Sequence, residues 1–383
     1  MIRPRLLTTL SYGAMMALSI GLNMLPVFLT TLSVTYGGET GLTKEQLGRL
    51  GAIMFAGLVG GIFITGPLAD RLGAKPFVLL GNGLIVLSLL AMAFAPNYAT
   101  LAVALGFLGL GSGILDMVLS PVVSALNPER RASAMNWLHS FYCVGAALTI
   151  LAGTVVLKAG GGWRVACLVL LPLPALLIVF FAPLKFPQMA HEERRMGLGS
   201  LMGQTWFRLA LVALFLGGAT ELGMAQWLPA YAETSLGFAP WVGGMGLLLF
   251  SLAMAFGRMA VGAAGTRLDP FHTMAWGCGL SVLLFLGASF IPHPMTALVC
   301  CIAAGFTGSC LWPTVLAVTA DHYPNGGATM FGVLSAFGNA GGIFMPWVVG
   351  WVADLSNLHW GLAISALAPL GMLPIILVMR KAR

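Results

Sequence analysis

Long apolar runs separated by short polar, glycine or proline stretches recur along the whole chain. They fall at 6–36, 46–69, 76–95, 98–126, 132–158, 164–183, 205–233, 239–264, 271–291, 295–321, 327–353 and 358–379. Crossing the hydrocarbon of a bilayer takes about 20 apolar residues of helix, so each run is long enough to span. The pattern predicts an all-α membrane protein of twelve transmembrane helices with short connections. One sizeable polar segment interrupts it: Lys185 to Gln204, which holds His191-Glu192-Glu193-Arg194-Arg195 and reads as a linker. The expected organisation is a six-helix bundle over 1–184, a cytoplasmic linker over 185–204 and a second six-helix bundle over 205–383.

The second half repeats the first at an ungapped offset of 196 residues. Gly21 falls on Gly217, Gly66 on Gly262, Arg71-Leu72 on Arg267-Leu268, Gly109 on Gly305, Pro128 on Pro324, Phe141 on Phe337 and Gly145 on Gly341. Glycine pairs alone carry little weight in a chain with 50 glycines, but the Arg-Leu, Pro and Phe pairs share one register. A six-plus-six parallel repeat makes the two bundles pseudo-symmetric and puts a solute site near the bilayer midplane, where the repeats meet.

Composition agrees with that picture. The 383 residues are 58% hydrophobic and 8% charged, against about 25% charged in a soluble domain. The net charge of +7 does not indicate nucleic acid, because the basic residues stand in pairs at helix ends without an aromatic-interleaved patch. They report topology instead. With the N-terminus in the cytoplasm, Arg3, Arg5, Arg71, Lys75, Arg130, Arg131, Lys185, Arg194, Arg195, Arg208, Arg267, Arg380, Lys381 and Arg383 lie on or near that side. Both termini are therefore expected in the cytoplasm, in a plasma (inner) membrane. Met1-Ile2-Arg3-Pro4-Arg5 ahead of an apolar run resembles a signal peptide, but no small-residue cleavage site leads into soluble sequence, so a retained first helix is expected. The six cysteines sit inside apolar runs without metal-ligand spacing and read as packing residues. No metal site and no cofactor is expected.

Between the second and third helices stands Gly66-Pro67-Leu68-Ala69-Asp70-Arg71-Leu72-Gly73-Ala74-Lys75. It resembles the G-x-L-A-D-R-x-G-x-K loop signature of the major facilitator superfamily. The resemblance implies a twelve-helix transporter in which Gly66, Asp70 and Arg71 act as a conformational latch, the acid facing the start of the eleventh helix near Gly327. The second copy, Gly262-Ala263-Ala264-Gly265-Thr266-Arg267-Leu268, has Thr266 where Asp70 would fall, so a single acidic latch is expected.

Two further segments, and a third in the seventh helix, resemble the fucose permease-like sugar:proton symporters. They are Asp116 five residues before Pro121; Asn136-Trp137-Leu138-His139-Ser140-Phe141, with His139 in a position that is Gln in that branch; and Glu221 followed by Trp227 and Tyr231. The resemblance implies a monosaccharide solute and a proton as coupling ion. The first helix departs from that branch, since Leu22-Asn23-Met24-Leu25-Pro26 carries Asn23 where the symporters have an acid.

An intramembrane carboxylate costs about 2.5 to 3.5 kcal/mol to insert and is a functional candidate by default. Asp116 and Glu221 both lie near the middle of a run. A carboxylic acid withdrawn from water favours its neutral form, so opening and closing can load and unload a proton. Asp116 and Glu221 are the expected coupling acids. Asn23, Asn136, His139, Glu221, Trp227, Trp312 and Asn339 are the expected solute ligands, amides and acid for hydroxyls and indoles for the apolar face of a ring. Packing and interhelical hydrogen bonds are the alternative for Asn23, Asn339, His139 and the tryptophans. Arg258, near the end of the eighth run, is expected to snorkel to the interface in a structural role. Glu233, Asp321, His322 and Asp354 fall at helix ends and are expected to be solvated or capping.

The leading expectation is thus a secondary active transporter working by alternating access as a monomer, embedded in a lipid bilayer. The alternatives are a drug or metabolite exporter, a sodium-coupled uptake system, or a transporter-derived sensor. ATP drive and catalysis are not expected, since no G-x-x-x-x-G-K-[ST], H-E-x-x-H or G-x-S-x-G motif occurs.

Overall fold

The computed structural model describes residues 3–42, 44–187 and 196–382. Among the described residues, twelve helical spans are long and apolar enough to cross a membrane, six on each side of the central polar segment. Part of the expected linker, 188–195, lies outside the described residues. Its far end forms a short helix, Leu198–Gly203, anchored by the buried Leu201.

Several helices open on proline in the first turn, including Pro4–Gly37, Pro240–Ala264, Pro270–Phe290 and Pro294–Gly308. Proline costs nothing there, because the first amides of a helix have no partner in any case. Elsewhere proline breaks the spans. The seventh, Thr205–Thr234, is divided at Gln226-Trp227 just before Pro229, and the tenth, Pro294–His322, at Ser309-Cys310 just before Pro313. A proline has no N–H for the carbonyl four residues earlier. Ser309 is therefore left with an acceptor that its own helix does not use.

The chain forms two compact units that do not follow its midpoint. One comprises Met1–Leu126, Phe141–Arg195 and Gly327–Gly332; the other comprises Asn127–Ser140, Met196–Gly326 and Val333–Arg383. The exchanged pieces are related by the internal repeat, since residues 131–136 correspond to 327–332 at the 196-residue offset. The first turns of the fifth and eleventh helices thus pack with the unit built mainly from the other half of the sequence.

In the first unit, helix Tyr98–Leu126 lies against helix Lys44–Leu72 at backbone distance. A side chain at Gly109 would strike the carbonyl of Met54, and one at Gly113 that of Leu58. Small residues at such a seam let two membrane helices approach until their backbones touch. Residues Gly111 to Ser124 are buried on every side as a result, and Asp116 sits within that stretch.

Candidate functional site

The second unit contains a buried charge with three hydrogen-bond partners on three other spans. Arg258, on helix Pro240–Ala264, is 3% exposed. Its Nη2 donates to Glu221 Oε2 at 2.7 Å, Nε to the Ser309 carbonyl at 2.9 Å, and Nη1 to the His139 carbonyl at 3.0 Å. One guanidinium thereby joins the fifth, seventh, eighth and tenth spans. This overturns the expectation that Arg258 snorkels: its fork is turned inward, where a carboxylate and two carbonyls meet its planar donors. The signal was present in the sequence, because Pro313 follows Ser309 by four and releases the carbonyl that Arg258 takes.

One turn from this centre, on two of the same helices, are two expected ligands. Asn136 is fully buried; its Nδ2 donates to Thr314 Oγ1 at 3.0 Å and to the Ala132 carbonyl at 2.9 Å, while its Oδ1 has no partner among the described residues. Trp312 likewise buries its indole Nε1 without a partner. The Trp312 ring is seated against Gly338, where a side chain would collide with it. A buried donor or acceptor left unpaired costs about 1 to 3 kcal/mol, so each requires an explanation.

The remaining expected ligands are placed as follows. His139 is 4% exposed and contributes its backbone carbonyl to Arg258. Trp227 is half-buried and spends its N–H on the Pro346 carbonyl at 2.8 Å. Asn339 bonds the Ser335 carbonyl one turn back at 3.0 Å, and Asn23, in the first unit, does the same to Ser19 at 2.9 Å. Asp116 is 8% exposed, in the first unit. Tyr231, noted only for its spacing, is fully buried, with its hydroxyl donating to the Ala288 carbonyl at 2.6 Å and lying 2.8 Å from His359 Nδ1. Of the helix-end residues, Glu233, His322 and Asp354 are exposed, while Asp321 pairs with Arg131 at 2.7 Å.

The loop motif is also resolved. Within the first unit, Asp70 Oδ2 accepts the Thr329 amide at 3.0 Å and the Thr329 hydroxyl at 2.5 Å. An acid from one helix thus caps the N-terminus of another, Gly327–Leu355, where orphan amides and the positive dipole end favour a carboxylate. Gly327 has φ +66° and faces the same carboxylate, so a side chain there would be strained and would strike it. Gly66 lies beside the Thr329 backbone, and Arg71 is exposed at the end of its helix. At the equivalent position of the repeat, within the second unit, Ser133 Oγ donates to the Gly262 carbonyl, and Arg131, two residues earlier on the same helix, pairs with Asp321 of helix Leu311–His322. Among the described residues no acid takes the Asp70 role there, and Thr266 stands at the equivalent position.

A Major Facilitator Superfamily model matches residues 9–326 and 248–383. The chain belongs to the major facilitator superfamily. It is 23% identical over 334 residues to an uncharacterised transporter of this superfamily from Yersinia pestis, covering 85% of each chain. It is 26% identical over 340 residues to the probable nitrate/nitrite transporter NarK2 of Mycobacterium tuberculosis, covering 84% of each. Among solved structures, FucP of Escherichia coli in its outward conformation superposes with a TM-score of 0.82 at 18% identity, over 97% of this chain and 98% of that one. Superfamily membership makes this a secondary transporter and not an enzyme, with twelve spans. The fucose-permease branch is matched in fold, whereas the sequence relatives are of more than one kind.

Proposed function

We propose that the chain takes up a small polar solute, a monosaccharide, together with a proton. The observation that carries this reading is the pair of buried, unpartnered polar atoms, Asn136 Oδ1 and Trp312 Nε1, one turn from the Glu221–Arg258 ion pair. A hydroxyl can donate to the first and accept from the second, and an indole presents a flat apolar face to a sugar ring. His139, Trp227 and Asn339 complete the proposed lining in the second unit, Asn23 of the first unit is a further proposed solute ligand, Asp116 and Glu221 are the coupling acids, and Gly66, Asp70 and Arg71 form the latch. The proposed arrangement is a monomer in the plasma membrane with both ends cytoplasmic and bundles over 1–184 and 205–383.

A small anion is the second reading. It is favoured by the buried cation Arg258 and by the relative named as a probable nitrate/nitrite transporter. An anion would compete with Glu221 for the guanidinium, as a carboxylate and nitrate offer similar planar oxygen pairs.

Uptake into proteoliposomes separates the readings. Sugars and small anions are tested under imposed proton and sodium gradients. Accumulation or counterflow of a sugar driven by protons supports the first, and accumulation of an anion alone replaces it with the second. Expulsion of lipophilic cations without either would return the exporter alternative.

A further inference from the structure

Between helices Lys75–Ala93 and Tyr98–Leu126 of the first unit runs a groove of about 560 Å³. Leu84, Leu87 and Ala91 form one wall, and Val103, Ala104 and Phe107 the other. Leu87, Val103 and Phe107 are at least half exposed. Every lining residue belongs to a membrane span, so the surrounding medium is hydrocarbon. The nearest apolar chain able to fill such a groove is the tail of a lipid.

Two polar features argue for a particular lipid. Ser88 lines the groove, is 3% exposed, and its hydroxyl has no partner among the described residues. Ser11 and Ser289, also in spans, satisfy theirs on the carbonyl one turn back. Beyond the lining residues Ala91 and Ala99 the two walls are joined by the turn 94–97, and there Arg164 Nη2 donates to the Ala95 carbonyl at 3.2 Å, with its guanidinium 4.8 Å from the Trp163 ring centroid. Arg164 is exposed, and no carboxylate is paired with it among the described residues. From Ser88 to Ala95 the rise is about 10 Å. That separation suits a glycerol backbone and its phosphate reached by an arginine.

We propose that this groove binds one anionic glycerophospholipid: an acyl chain lies between the two helices, an ester carbonyl accepts from Ser88, and the phosphate rests on Arg164.

The full chain is reconstituted in nanodiscs containing equal phosphatidylglycerol and phosphatidylcholine, released into detergent and weighed by native mass spectrometry. One retained phosphatidylglycerol per chain is expected, preferred about fivefold over phosphatidylcholine, the effect of one basic residue near an anionic headgroup. Ala91→Trp and Val103→Trp fill the groove from opposite walls and should each abolish retention while the circular dichroism stays that of wild type. Arg164→Gln should bring the two lipids to parity, and Arg164→Lys should keep the preference. Retention unchanged in both tryptophan variants overturns the proposal. So does equal retention of the two lipids by wild type, or a dimer that the tryptophan variants dissociate.

Discussion

Arg258 and Glu221 meet at 2.7 Å with side chains only 3% and 15% exposed, so the eighth and seventh spans are joined by an ion pair largely withdrawn from water. Removing one member of such a pair strands the other. Arg258→Ala is expected to destabilise the second unit by about 3 to 5 kcal/mol, because Glu221 and two carbonyls lose their donors together. Thermal unfolding in detergent reads this, and Glu221→Gln combined with Arg258→Met should recover much of the loss. Equal melting of wild type and Arg258→Ala would remove the pair from the account of stability.

Trp312→Phe deletes an N–H that is buried without a partner among the described residues. Losing an unsatisfied donor costs the fold nothing, so the melting temperature should hold or rise while solute affinity falls about tenfold. Equilibrium binding and unfolding measured on the same preparation distinguish this from a packing role, which would lower both.

Asp116→Asn keeps the size and hydrogen-bonding capacity of a side chain buried in the first unit but removes its titratable proton. Gradient-driven accumulation should be lost, with solute exchange partly retained. Unchanged accumulation in proteoliposomes would take Asp116 out of coupling.

Asp70→Asn leaves an oxygen for Thr329 but no charge at the start of helix Gly327–Leu355. A carboxylate at a helix N-terminus contributes about 0.3 to 1 kcal/mol, so a modest loss is expected, and a larger one for Asp70→Ala. Thr329→Val should be less than additive with either, since the residues share the bond. Cysteine labelling at the turn preceding Gly327 and transport turnover check the outcome.

The Arg131–Asp321 pair is half in water, with side chains 18% and 43% exposed. Asp321→Asn should cost no more than about 1 kcal/mol and less at high salt. A melting curve that shifts by several degrees irrespective of salt would show a deeper role than ion pairing.

Much of this protein was legible from the chain alone, for a physical reason. Whether a segment can span a bilayer depends on the apolar length of contiguous residues, and all twelve spans followed from that. The loop from Gly66 to Lys75 resembled the family signature, and that resemblance, not the apolar pattern, implied that Asp70 faces the start of the eleventh helix; the partner there, Thr329, came from the structure. Burial of Asp116, exposure of Glu233 and Asp354 at helix ends and burial of every cysteine except the half-buried Cys300 followed from position inside or at the edge of an apolar run.

The wiring of the polar interior was decided by tertiary structure. Arg258 finds partners 37, 51 and 119 residues away, and position near the end of a run suggested the interface instead. Trp227 and Trp312 look alike as sequence, yet one spends its N–H on Pro346 and the other is left with a buried donor. Hydropathy is a sum over neighbours in sequence, whereas a hydrogen bond needs two groups within about 3 Å in space, which only the packing of helices supplies.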